Sequence, residues 1–305
     1  MKSEKRKIAI IGAGKIGATL AMRVAENDLA DVLLLDVKEN LAHGVVLDLK
    51  DNLSILGCPQ RVNYAIDYLE LAGADIVVIT AGFSRKPDMS REDLLGKNEE
   101  VIREITLKIK RYIPNAIIIV VTNPLDIMTY LVYKISGFSR PKVMGMSGVL
   151  DAGRFGGLIA DELKVSAQNI QAMVMGMHSD LMLPLPKYST AYGVSIRRIL
   201  DKERVEQLLK KTRKRGAEIV SYLACSAHYA PSAAVFLMLK AICNNEKRVL
   251  PVSVFLEGEY NLSDVCLGVP VKIGGKGIEE IVELELDKEE KKILQESAKK
   301  AKEGI

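Results

Sequence analysis

Cysteine is sparse in this 305-residue chain, and Cys58, Cys225, Cys243 and Cys266 show no Cys-x-x-Cys spacing. They read neither as a zinc site nor as a disulfide framework, which leaves free, mostly buried thiols in a reducing cytoplasm as the expectation. Long apolar runs are missing as well. The longest, Ala116 to Val121, is far too short to cross a bilayer. The opening Met-Lys-Ser-Glu-Lys-Arg-Lys lacks the apolar core of a signal peptide. Charge is not concentrated either: the net charge is +4, with Lys and Arg spread along the chain. That argues against a nucleic-acid partner and suits a small anionic ligand. No repeat, low-complexity tract or long linker interrupts the sequence. Histidine is scarce, with three in all, so each can be weighed separately.

What is present is ordinary globular material, 48% hydrophobic and 27% charged, long enough for one large domain or two of common size. The first half alternates apolar runs with helical periodicity. Strands are expected at Lys7–Ile11, Val32–Asp36, Val62–Ala65, Asp75–Thr80, Ile117–Thr122 and Lys142–Met146. Strands apolar on both faces, alternating with helices, predict an α/β fold with a doubly wound parallel sheet and right-handed crossovers. The second half differs. A strand over 169–177, helices over 202–222 and 231–244, an antiparallel strand pair over 252–258 and 264–273, and a closing helix over 287–302 point to an α+β unit. The expected division is 1–145 for the Rossmann domain, with its doubly wound sheet, and 146–305 for the α+β domain, with extensive packing across it.

Gly12-Ala-Gly14-Lys-Ile-Gly17 lies between the first strand and the first helix, and Asp36 ends the next strand nineteen residues after Gly17. In that setting Gly12 permits the tight turn, Gly14 lets backbone approach a pyrophosphate, and Gly17 allows close helix–strand packing. The helix N-terminus then faces the phosphates. Asp36 would accept from a ribose diol and repel a 2′-phosphate, which favours NAD over NADP. Arg85 and Arg91 stand six apart in Thr80-Ala-Gly-Phe-Ser-Arg-Lys-Pro-Asp-Met-Ser-Arg91. With Pro87 and no apolar period, residues 82–89 read as a loop, and Ser90 to Asp93 as a helix start. Two guanidiniums there equip the loop to close over a small dianion, Arg91 polarising a carbonyl and Arg85 pairing with a second carboxylate.

Other residues leave two readings open. Asn123, before Pro124, is either a turn asparagine or an amide set at a strand's carboxyl end, where open α/β sheets bind ligands. Asp151 and Arg154, three apart on a probable helix, read on spacing alone as a surface ion pair. His43 lies in a helical stretch and reads as a bystander, and His228, near a helix start, is ambiguous. His178 follows an apolar run and precedes Ser179-Asp180. It is either a satisfied core histidine or an acid–base group released from a strand end.

Together these motifs resemble the lactate/malate dehydrogenase superfamily, and are most similar to its lactate-dehydrogenase-like malate dehydrogenases. The resemblance runs from Gly12 to about Gly274. It rests on Thr80-Ala-Gly82, Arg85-Lys-Pro87, Ser90-Arg91, Val121-Thr-Asn-Pro124, Val149-Leu-Asp151 with Arg154, His178 with Asp180, and Ala227-His-Tyr-Ala-Pro231. It implies that His178 exchanges a proton with the substrate oxygen and that Asp151 orients it. Arg154 would hold the carboxylate beside the reacting carbon, Arg91 would polarise the carbonyl, and Arg85 would read the distal carboxylate of malate or oxaloacetate. Asn123 would bond near the nicotinamide and the substrate. Asn98 and Thr122 join the implied cofactor-binding set, Ala227 would border the substrate, and no metal is implied. A homo-tetramer is the implied assembly, with a dimer as the alternative, in the cytoplasm that the free thiols suggest.

The sequence departs from the family pattern at Asp88, Ser179, Cys225 and His228, and carries Gly156 and Gly157 inside a helix. None of these removes a group the chemistry needs. Three other readings compete. One is a lactate or broader 2-hydroxy-acid dehydrogenase, against which Arg85 argues. The others are a metal-dependent NAD glycosidase, with Cys225 and His228 as its nearest ligand pair, and a silent NAD-binding protein.

Overall fold

The computed structural model describes residues 5–83 and 91–304, without the side chains of Arg91 and Glu92. The first half builds β1 (Lys7–Ile11), β2 (Asp31–Leu35), β3 (Val62–Ala65), β4 (Ile76–Ile79), β5 (Ile117–Val120) and β6 (Val143–Gly145). They pair in parallel, in the order β6-β5-β4-β1-β2-β3. Every residue of β4 and β5 is buried. Ile8 and Ile10 belong to one core cluster, Ala9 and Ile11 to another. Period-two alternation sends neighbours to opposite faces, and helices cover both. Each such Ile or Val contributes about 2 kcal/mol by leaving water.

Helices α1 (Lys15–Glu26), α2 (Glu39–Ile55), α3 (Arg91–Tyr112), α4 (Leu125–Ser136) and α5 (Gly148–Leu163) follow in chain order. The strand order reverses between β1 and β4, so their following segments part and leave a crevice at the carboxyl edge. The N-terminus of α1 opens onto that edge, as does the Asn123-Pro124 turn after β5.

The stretch expected as one strand over 169–177 is instead two short strands, β7 (Ile170–Gln171) and β8 (Val174–Met175). The remaining short strands are β9 (Leu183–Pro184), β10 (Thr190–Ala191) and β11 (Val194–Ser195). β7 pairs with β10 while β8 pairs with β9. Between the two, the Met173 amide donates to Ser189 Oγ at 3.1 Å rather than to a ladder. The apolar run serves two neighbours, so no single ladder can contain it.

Next come α6 (Ile196–Ile199), α7 (Lys202–Leu223), α8 (Tyr229–Cys243), β12 (Arg248–Glu257), β13 (Ser263–Gly274), β14 (Gly277–Ile281) and α9 (Lys288–Lys302). The antiparallel strands β12 and β13 form as expected, but they do not make a separate sheet. Ser253 of β12 pairs with Gly145 of β6, which extends the parallel sheet to nine strands among the described residues. α9 starts in a capping box of Asp287 and Glu290. It buries Leu294, Ala298 and Ala301, and brings Ser297 Oγ to within 2.6 Å of the Met177 amide.

Candidate active site

Asp151 and Arg154 share one face of the first turns of α5, as their spacing requires. The surface reading of the pair fails, because the Asp151 side chain is 1% exposed and that of Arg154 12%. α5 packs against β8 and β12, so this face looks into the protein. His178 sits two residues beyond Gly176, whose amide bonds to Gly268 of β13. That turn aims the imidazole at α5, where Nδ1 lies 2.6 Å from Asp151 Oδ2. Burial works against a charged ring, but the charge and hydrogen bond of Asp151 outweigh it and raise the His178 pKa above its usual value. Asp151 Oδ1 also accepts from Arg154 Nη1 at 3.1 Å. Arg154 Nε is buried with no hydrogen-bond partner among the described residues. Gly216 of α7 passes over this guanidinium, and a Cβ there would stand 3.6 Å from both Arg154 Nη atoms. An under-satisfied cation beside an imidazole has the chemistry to take an anion.

One residue at the site was missed in the sequence. Asp126, on the first turn of α4, is 1% exposed. Its Oδ2 accepts from the His178 amide at 2.7 Å and its Oδ1 from Ser253 Oγ at 2.6 Å. Burial pushes its pKa up to about 6, against the hydrogen bonds from Ser253 and His178. Ser147 Oγ stands 3.5 Å away. Ser147 holds φ 34° and ψ −120° just before α5, a backbone strain of order 1–3 kcal/mol. An isolated acid in the apolar helix Leu-Asp-Ile-Met-Thr-Tyr-Leu-Val-Tyr was the available signal. Asp126 follows the Asn123-Pro124 turn closely, so it also ties the His178 turn to the carboxyl edge of β5.

The fingerprint glycines are explained by what surrounds them. Gly12 has φ +111°, and a Cβ would stand 2.7 Å from the Ala81 amide nitrogen. At Gly17 a Cβ would lie 1.9 Å from the Gly12 carbonyl oxygen, so only glycine lets α1 seat against the turn. Around Gly14 no atom of the described residues would come within 4 Å of a Cβ. Among the described residues no side chain caps α1, and its first turn carries no acid. Its N-terminal amides and dipole are therefore available to phosphates, which fits a dinucleotide. Asp36 stands just past β2, its Oδ2 accepting from the Ala13 amide at 2.7 Å and its Oδ1 from the Lys38 amide at 2.9 Å. The turn before α8 overlies this edge, with Cys225 Sγ 3.3 Å from Lys15 Nζ.

Asn123 is exposed at the end of β5. Asn98 is fully buried beneath it, donating to the carbonyls of Asn123 at 2.7 Å and Phe83 at 3.1 Å, and accepting from the Phe83 amide at 2.7 Å. Thr122 Oγ1 donates to the Ala81 carbonyl at 2.6 Å. Asn98 and Thr122 thus brace the segments along the crevice through their backbone bonds. Arg85, Asp88 and the Arg91 side chain lie outside the described residues. His43 stacks on Tyr64 at the far edge of the sheet, away from the pair. His228 precedes α8 beside the half-buried Ala227. Among the described residues no group of three His, Cys, Asp or Glu could hold a metal ion, and no helix is long and apolar enough to cross a membrane.

The parallel sheet, the glycine cradle and the buried acid–histidine pair together belong to a known class. The family model for the lactate/malate dehydrogenase NAD-binding domain matches residues 6–145, and the model for the family's alpha/beta C-terminal domain matches 148–305. The chain belongs to the lactate/malate dehydrogenase family and is an NAD-dependent oxidoreductase. It is 47% identical over 293 residues to a malate dehydrogenase of Methanosarcina barkeri, covering 96% of this chain and 95% of that one. A malate dehydrogenase of Methanosarcina mazei is 46% identical over 300 residues, covering 98% of each. Among solved structures, malate dehydrogenase from Salinibacter ruber superposes with a TM-score of 0.93 at 43% identity, covering 98% and 96% of the two chains. Lactate dehydrogenase from Eimeria maxima with NADH and oxamate gives a TM-score of 0.95 at 41% identity, covering 99% and 94%.

Proposed function

We propose that this chain is a malate dehydrogenase, interconverting malate and oxaloacetate with NAD(H). The observation that carries the reading is the buried Asp151–His178 pair beside the under-satisfied Arg154 guanidinium. NAD(H) supplies or accepts the hydride when bound. Reduction of a carbonyl builds negative charge on its oxygen. Asp151 engages His178 Nδ1, so Nε2 is the nitrogen left to give that oxygen a proton. In the reverse direction neutral His178 takes the proton from the hydroxyl, and Asp151 stabilises the imidazolium that forms. Arg154 holds the carboxylate next to the reacting carbon. Arg91 is assigned to polarise the carbonyl and Arg85 to pair with the distal carboxylate, both on the strength of the sequence. Asp36 selects the unphosphorylated ribose, and Asn123 serves nicotinamide and substrate.

The same reading divides the chain near Met146 into NAD-binding and substrate domains. It places the enzyme in the cytoplasm, within the tricarboxylic acid cycle, as a homo-tetramer with a dimer as the alternative. Initial rates with oxaloacetate or pyruvate, each with NADH or NADPH, test the central claim. Oxaloacetate with NADH should be the fastest pair. Preference for pyruvate would move the enzyme to the lactate side of the family.

A further inference from the structure

Asp126 is not needed to carry a proton or to hold a substrate, yet it is buried as an acid between the catalytic turn and the central sheet. We propose that Asp126 is a positioning residue, whose carboxylate fixes the His178 main chain and lends the imidazole a second negative charge beside that of Asp151. The inference rests on His178 being the acid–base group.

Three observations support it. First, the contact is to the His178 amide itself, at 2.7 Å, so a shift of Asp126 moves the ring's own backbone. Second, the carboxylate is anchored from a different element by Ser253 of β12 at 2.6 Å. Asp126 thereby locks α4, β12 and the His178 turn in one register. Third, a neutral asparagine could accept from the His178 amide through Oδ1 and donate from Nδ2 to the Ser253 hydroxyl, so a brace alone does not call for a charge. A buried carboxylate is costly to keep. Its charge acts on His178, where it raises the pKa along with Asp151 and against burial and Arg154. The ionisable groups facing Asp126 are His178 from the turn after β8, Asp151 from α5 and Cys266 from β13, whose thiol is raised first by burial and then by Asp126. Ser147 and Ser253 face it as neutral hydroxyls.

Asp126→Asn in the full-length enzyme separates positioning from mere scaffolding. The rate of oxaloacetate reduction should fall tenfold or more. Reduction needs protonated His178, so the high-pH limb of the kcat profile should move down by roughly half a unit. NADH affinity should stay within threefold, and Tm at neutral pH should hold or rise, because a buried charge is removed. An unmoved limb overturns the proposal, whether kcat is kept or lost. If Asp126→Asn does not fold, Ser253→Ala decides. Protonating Asp126 removes its charge, so reduction should also slow on the acid side; Ser253→Ala leaves the carboxylate but removes a bond that favours its ionisation, so that acid-side fall should move to higher pH. An unchanged profile in Ser253→Ala would then overturn the idea. His178→Asn, run in parallel, checks the underlying reading: retained kcat there refutes the acid–base assignment itself.

Discussion

Asp151→Asn tests the core of the site. The substitution keeps the shape and one acceptor but removes the charge 2.6 Å from His178 Nδ1. At an effective dielectric near 20, opposite charges about 4 Å apart attract by about 4 kcal/mol. A neutral amide acceptor keeps about 1 kcal/mol of that as a hydrogen bond. About 3 kcal/mol is lost from the imidazolium, which lowers its protonated fraction by roughly two orders of magnitude at a pH above the folded pKa and slows reduction there in proportion. Arg154 deepens the loss, because its charge already opposes protonation of His178 and loses its own partner at 3.1 Å. The expected result is a fall in kcat for oxaloacetate reduction of a hundredfold or more, followed by loss of NADH absorbance. The sign of the pH effect follows from the raised His178 pKa. The proton needed for reduction is present below the folded pKa and lost as pH rises through it, so Asp151→Asn should move that loss to lower pH. NADH binding, read by fluorescence, should be unchanged. A kcat within threefold of the unmutated enzyme would refute the reasoning, as would an unmoved pH limb.

Four further outcomes are expected. NADH should be preferred to NADPH by at least an order of magnitude, about 1.4 kcal/mol, and Asp36→Ser should narrow the gap in kcat/KM; equal use of both by the unmutated enzyme would contradict the role given to Asp36. His178→Asn should lower kcat by roughly a hundredfold or more with NADH still bound, while His43→Asn, stacked on Tyr64, should change it little. Arg85→Gln should lower kcat/KM for oxaloacetate by about two orders of magnitude, roughly 3 kcal/mol, and spare pyruvate, whereas Lys86→Gln should leave the preference intact; the reverse pattern would reassign the distal carboxylate. Asp126 titrates near 6 when folded and near 3.8 when unfolded, so the folded state binds its proton more readily and this group's contribution to stability declines as pH rises between those values. Urea unfolding should show that decline, of order 3 kcal/mol, in the unmutated protein and not in Asp126→Asn.

The sequence by itself determined whatever depends on neighbours along the chain. The parallel strands follow from short runs apolar on both faces, and the cofactor crevice from glycines at fixed spacing between a strand and a helix. Asp151 and Arg154 share a face because they lie three apart on a helix. Their environment was another matter, since spacing says nothing of what packs over a face, and the same pair reads as a surface ion pair until β8 and β12 cover it. The run 169–177 failed as a single strand for a related reason: hydrophobicity records burial but not which strand accepts each amide. Tertiary structure alone brought Asp126 to His178, 52 residues away, and to Ser253, 127 residues away. It also joined β12 to β6 in one sheet, so that a residue from each half completes the site. A buried carboxylate is stabilised only by donors that meet it in space. No local pattern encodes that meeting, and the fold decides it.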